Sequence, residues 1–195
     1  NVALGVSKSK PLVVPVNSSL ISTISLEEGH RPQIKVAAVL TVVKTIPKDN
    51  SFRPSYSGAD KSSKYTLADV KKGVFKKLSR LSSTSPIADV TAKLSRVWID
   101  HVPDWEARYT HPTENMPAYG RDMSSVVSEA SLLLHLDFTP EEKEKLLIPF
   151  LQLGIDFWGI IKDGGHKNWV PNGGHTNGRK WPILFAGFMF NDKEM

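Results

Sequence analysis

The spacing of apolar residues changes once along this chain, near residue 66. Before that point Val, Ile and Thr gather in short runs: Pro11–Val16, Ser19–Leu26 and Ile34–Ile46, separated by Pro, Asn and Gly. Runs of this kind predict strands. In the third run Ile34, Val36, Ala38, Leu40 and Val42 share one face, and Val39 and Val43 make the other partly apolar, which suits a strand covered on both sides, with a helix as the alternative for so many alanines and leucines. Residues 1–48 are therefore expected to be β-rich, and the polar, Pro-, Gly- and Ser-bearing residues 49–65 a linker.

From residue 66 the period is helical. Thr66 with Asp69 resembles a capping box and opens a stripe of Leu67, Val70, Val74, Leu78 and Leu81. Ser85-Pro86 predicts a second helix, through Val90, Leu94, Val97 and Trp98. A third follows Gly120, with Met123, Val126, Val127, Ala130, Leu133 and Leu134 at helical spacing. Thr139-Pro140-Glu141-Glu142 is the clearest start signal in the chain. The helix it opens is expected to bend at Pro149 and end at Gly164-Gly165. Trp181-Pro182 then starts an apolar segment, PILFAGFMF. The expected class is α+β: a β-rich segment (1–48), a linker (49–65) and a helical part (66–195). The abrupt ends suggest a piece of a longer protein.

Composition narrows the chemistry. There is no cysteine, which removes disulfides, thiol catalysis and Cys-ligated zinc. A net charge of +5 permits an anionic partner without requiring one. The lysines and Arg80 between Lys71 and Arg80 read as a solvated helix face, so no nucleic acid is expected. No signal peptide is visible, and no apolar run suits membrane insertion.

Two long irregular stretches, Asp100–Gly120 and Asp163–Trp181, flank the third and fourth helices. Loops of this length inside a compact domain are usually functional or disordered, and the aromatic content here argues against disorder. The short link between those helices makes them antiparallel neighbours, so both loops should emerge at one end and face each other. Together they carry His111, Asn115, Tyr119, Arg121, Trp105, Trp169, Asn172, His175 and Arg179. Flat rings stack on sugars, while Asn, His and Arg bond hydroxyls and carboxylates, so the set suits an acidic carbohydrate.

Other chemistries fit less well. Gly173–Lys180 approaches a phosphate loop, but Arg179 stands in place of the lysine, Lys180 in place of the Mg²⁺-holding hydroxyl, and no apolar strand precedes it. His111, His166 and His175 lack metal-ligand spacing, so no metal or other cofactor is expected. There is no serine elbow. The carboxylates available for glycoside hydrolysis cluster in a single loop.

HPTENMPAYGRD, followed by two helices and NWVPNGGHTNGRKWPILFAG, resembles the (α/α)-toroid polysaccharide lyases over about Asp100–Met195. That resemblance implies a toroid fragment acting on an acidic polysaccharide or oligosaccharide by β-elimination outside the cytoplasm. Asn115 and His175 would neutralise a uronate carboxylate, and Tyr119 or His111 would move protons. Arg121 and Arg179 would grip anions, with Trp105 and Trp169 as stacking platforms and Asn172 in the binding set. The alternative is a non-catalytic carbohydrate-binding or structural module.

Overall fold

The computed structural model describes residues 5–25, 27, 34–99, 120–169, 174 and 176–195. It is an α+β chain. Among the described residues an antiparallel ribbon of β1 (Ser18–Ser25) and β2 (Ile34–Val42) precedes four α-helices: α1 (Ile87–Leu94), α2 (Gly120–Leu133), α3 (Pro140–Lys162) and α4 (Lys180–Phe190).

In the ribbon Leu20 pairs with Leu40 and Ile24 with Val36 on one face, and Ile21 pairs with Val39 on the other. Ile21 and Val39 pack against the helical core, whereas Ile24, Val36 and Leu40 face solvent. The run Ile34–Ile46 is thus a strand only to Val42, and one face is covered rather than two. The expected strand Pro11–Val16 does not form. Pro11 and Pro15 have no N–H to give a ladder, and Val13 is 84% exposed.

Residues 49–65, expected as a linker, put Phe52 and Tyr56 into the core and pack Tyr65 against it. The Phe52 amide donates to the Tyr65 carbonyl at 2.8 Å, and Ser51 bridges Thr66, closing the segment into a loop. Phe52 and Tyr56 are buried. Tyr65 stacks on Phe190 of α4 with ring centroids 4.3 Å apart, and Phe52 meets the same ring edge-on at 5.2 Å.

The helix expected from Thr66 is replaced by two 3-10 turns, Leu67–Asp69 and Lys72–Val74, followed by extended chain. Asp69 does accept from the Thr66 amide at 2.7 Å, so the start signal is real. Propagation fails because backbone donors find partners elsewhere. The Lys71 amide donates to the Met189 carbonyl, Lys76 to His135 Nδ1, and Leu78 to the His135 carbonyl. Gly73 lowers the helical preference in the middle of the stretch.

The later helices follow the sequence pattern closely. α1 buries Ile87, Val90 and Leu94, and it stops at Leu94 instead of continuing to Trp98. Thr139 Oγ1 accepts from the Glu142 amide at 3.2 Å while Glu142 Oε2 accepts from the Thr139 amide at 2.9 Å, a cap of about 1 kcal/mol. The helix it opens continues across Pro149 to Lys162, and Gly164 at φ +79° turns the chain away. α3 is the central element, with Leu146, Leu147, Phe150, Leu151, Phe157 and Ile160 nearly or completely buried. α4 lies on it, with Phe185 stacked on Phe150 at 4.4 Å. Leu184 and Phe188, on the far side of α4, remain open to solvent.

Gly154 sets how closely α3 and α4 approach. A Cβ there would overlap the Pro182 carbonyl oxygen and come within 2.6 Å of the Ala186 methyl. Gly154→Ala is therefore expected to destabilise by about 1–3 kcal/mol in urea denaturation, despite alanine's better helix propensity. Gly73→Ala, whose added methyl meets no atom within 4 Å, is the control and should change the midpoint little. Equal midpoints for the two variants would refute the close-packing account.

Candidate functional site

α2 and α3 are joined by the short connection 134–139, so the stretch after α3 returns toward the start of α2. The two meet through glycines. A Cβ on Gly120 would overlap the Gly174 carbonyl oxygen and approach the Asn177 amide nitrogen to 2.5 Å. A Cβ on Gly178 would lie 2.7 Å from the Ser124 amide nitrogen and 2.8 Å from the Met123 side chain. Backbone thus lies on backbone at this junction, where a side chain on either glycine would separate the segments. Trp181 Nε1 donates to Ser131 Oγ at 2.6 Å and ties the far end of the stretch to α2 as well. Gly120, the last residue of the Asp100–Gly120 stretch, therefore lies against Gly174 and Asn177 of Asp163–Trp181.

Three of the sequence-derived site residues are described. Arg121 stands at the first turn of α2, 76% exposed, with Nε 3.1 Å from Asp122 Oδ1. Arg179 is buried, and its Nη1 donates to the Asn177 carbonyl at 3.2 Å, so it braces the turn before α4. Trp169 is half-buried, its ring edge-on to Phe157 with centroids 5.6 Å apart. His166, also in this stretch, lies exposed with Nδ1 3.2 Å from the Ile161 carbonyl oxygen. Trp105, His111, Asn115, Tyr119, Asn172 and His175 lie outside the described residues. Among the described residues no three His, Asp or Glu side chains form a group able to hold a metal ion. No helix among them is long and apolar enough to cross a membrane.

A second polar centre, which the sequence reading passed over, sits on α3. Asp156 is 4% exposed within an apolar helix. Its Oδ2 accepts from Arg53 Nη2 at 2.5 Å and its Oδ1 from the Tyr56 amide at 3.1 Å. Gln152, one turn earlier, clamps the backbone of Arg53 from both sides: Oε1 accepts from its amide at 3.1 Å, and Nε2 donates to its carbonyl at 3.0 Å. Ser55 Oγ donates to the Asp156 carbonyl, and Lys61 Nζ to the Ser55 carbonyl at 2.7 Å. Burial pushes the Asp156 carboxyl above its ordinary range, opposed by the Arg53 guanidinium, the Tyr56 amide and Lys61. Burial, together with the Arg53 charge, lowers the Lys61 ammonium. A lone carboxylate inside LLIPFLQLGIDFWGII was the signal available in the sequence; its partner lies 103 residues away.

Two clefts border this centre. One, of about 210 Å³, lies between the 53–65 loop and the C-terminal half of α3, with Trp158, Lys162 and Asp163 on the helix side and Asp60, Lys64 and Tyr65 on the loop side. Tyr65 Oη donates to Asp192 Oδ2 at 2.5 Å, which holds the Asp192 carboxyl below its ordinary value. The other cleft lies between the end of α1 and the middle of α3.

Compared with known proteins, the chain matches no family model, no curated protein and no solved structure. Its functional reading therefore rests on the sites themselves.

Removing one member of the buried pair, in Asp156→Ala or Arg53→Ala, is expected to cost about 3–5 kcal/mol, because the partner charge stays behind. The double change Arg53→Met with Asp156→Leu should cost much less than the sum of the single changes. Additive losses in denaturant titrations would contradict the coupling. Tyr65→Phe tests the outer contact through pH. Asp192 titrates below its ordinary 3.8 when folded, so its contribution is complete above that value and is lost as pH falls through the depressed one. The stability gap between wild type and Tyr65→Phe should be fully open at neutral pH and close on acidification. A gap that does not vary with pH would rule out this contact as its source.

Proposed function

We propose that the chain is a carbohydrate-active protein that engages an acidic, uronic-acid polysaccharide where the Asp100–Gly120 and Asp163–Trp181 stretches converge, with β-elimination as its chemistry. The observation that carries this reading is the backbone contact of Gly120 with Gly174 and Asn177, which brings the described ends of both stretches to one place. Arg121 stands at that junction, exposed enough to meet a carboxylate. In this reading Asn115 and His175 neutralise the uronate carboxylate, which acidifies the adjacent C–H, and Tyr119 or His111 carries the proton. Trp105 and Asn172 complete the sugar contacts.

Arg179 and Trp169 have a double role in this scheme. Arg179 braces the Asn177 carbonyl and Trp169 is held against Phe157, so both shape the loop whether or not they touch a ligand. This favours, as the second reading, a carbohydrate-binding or structural module without turnover.

The two readings separate on incubation with alginate, pectate and a heparinoid, following the ultraviolet absorbance of unsaturated uronate ends. The lyase reading expects product from at least one polymer. It also expects Tyr119→Ala to reduce turnover about a hundredfold or more with polymer binding retained. Binding without product, abolished by His175→Ala, supports the module. Neither binding nor product from any of the three polymers would overturn both.

A further inference from the structure

The cleft between the end of α1 and the middle of α3 has a volume of about 480 Å³, within the range of small-molecule sites. Its lining includes Arg53, Arg96, Trp98, Lys145, Pro149 and Asp156. Three of these are cations and one is an anion. The anion is already committed, since Asp156 takes Arg53 on one oxygen and the Tyr56 amide on the other. Arg96 and Lys145 make no ion pair among the described residues, and among those residues the positive charge on the two walls of the cleft is uncompensated.

The same cleft offers a hydrogen-bond acceptor. Pro149 sits inside α3 and has no N–H, so the Lys145 carbonyl, one turn earlier on the same face, lacks its usual helical donor. Trp98, Leu94 and Ile148 supply apolar wall. The Trp98 indole is fixed by donating Nε1 to the Lys93 carbonyl at 3.2 Å, and Gln152 fixes the Arg53 backbone. The floor is preorganised.

A site with two cations that make no ion pair among the described residues, one carbonyl without its helical donor and an apolar wall suits a ligand that carries a carboxylate, a hydroxyl and an apolar ring face together. We propose that this cleft is a subsite for one sugar-acid unit, its carboxylate between Arg96 and Lys145 and a hydroxyl donating to the Lys145 carbonyl. The assignment rests on the acidic-polysaccharide reading and adds to it a second point of contact. Pro149 and Asp163 are separated by roughly 20 Å along α3 at the rise of an α-helix. A single sugar therefore cannot occupy the cleft and the loop junction together, whereas a polymer can.

The probe is D-glucuronate, titrated into the full chain with the Trp98 indole and Arg96 signals followed by NMR, and with D-glucose and sodium sulfate as comparisons. Glucuronate should give saturable shifts that weaken with added salt, and neither comparison should reproduce them. Arg96→Ala and Lys145→Ala, both at exposed positions, should each weaken binding about tenfold without loss of fold. Pro149→Ala restores the missing N–H, so it should raise thermal stability while weakening glucuronate severalfold. Two results overturn the subsite: sulfate binding as tightly as glucuronate, or glucuronate binding unchanged in the two cation variants. Failure of the subsite is distinguishable from failure of the function. Polymer cleavage unaffected by Arg96→Ala removes the subsite alone, whereas glucuronate binding as described with no polymer bound or cleaved removes the polysaccharide reading.

Discussion

The constraint on which the rest of the structure depends is the need of one carboxylate for a counter-charge. Asp156 sits on the buried face of α3, where an isolated charge would cost several kcal/mol. Its remedy is not on the helix but on the loop ahead of the helical part, where Arg53 and the Tyr56 amide reach it. Once they do, the loop cannot lie anywhere else. Phe52 and Tyr65 are then carried onto Phe190, so α4 is held between the loop and α3. A stretch with the composition of a linker thereby becomes a structural wedge. The close approach of α3 to α4 at Gly154 completes the same packing from the other side.

This arrangement shows where sequence reasoning reaches and where it stops. The cap at Thr139, the helix after Gly120 and the turn at Gly164 were legible because each depends on residues within a few positions of one another. The approach of Gly120 to Gly174 and Asn177 follows the same logic, since a tight link between neighbouring helices leaves little freedom for their outer ends. Residues 66–81 read wrongly for a physical reason. Their apolar spacing is helical, but the backbone donors of Lys71, Lys76 and Leu78 are taken by Met189 and His135, partners that no local pattern can announce. The ribbon was half legible: the strands form, but a covering layer on each face is a property of the whole fold and not of the strand. The Asp156 centre was missed because an Asp in an apolar run says only that a partner must exist. It does not say that the partner is an arginine in a Ser- and Pro-rich loop.

The roles within the Asp163–Trp181 stretch also divide more clearly than its composition suggests. Gly178 is required by the approach to Met123 and Ser124, Arg179 by the Asn177 carbonyl, and Trp169 by Phe157. Gly178 and Trp169 hold the stretch to α2 and α3, and Arg179 braces the turn within it. Binding residues are most effective when a rigid scaffold positions them. Here the scaffold includes part of the loop itself, which is braced at its start by α3 and at its end by α2.

The two clefts beside Arg53 bear on how an extended ligand would be held. Arg53 lines both, and its guanidinium is fixed between Asp156 and the Pro54 carbonyl. A cation fixed in this way gains little by turning toward a ligand, because doing so would strand a buried carboxylate. Its contribution on either side is therefore a steady field and a rigid wall, and the exposed charges, Arg96 and Lys145 on one side and Lys64 and Lys162 on the other, are those able to turn toward an anion. Lys64 is already near Asp60, at 3.7 Å, and its cleft is lined by two carboxylates as well as two lysines. Among the described residues the α1–α3 cleft has no such balance. The asymmetry follows from the position of Asp156: the carboxylate that would neutralise that cleft is the one the fold has already used to anchor Arg53.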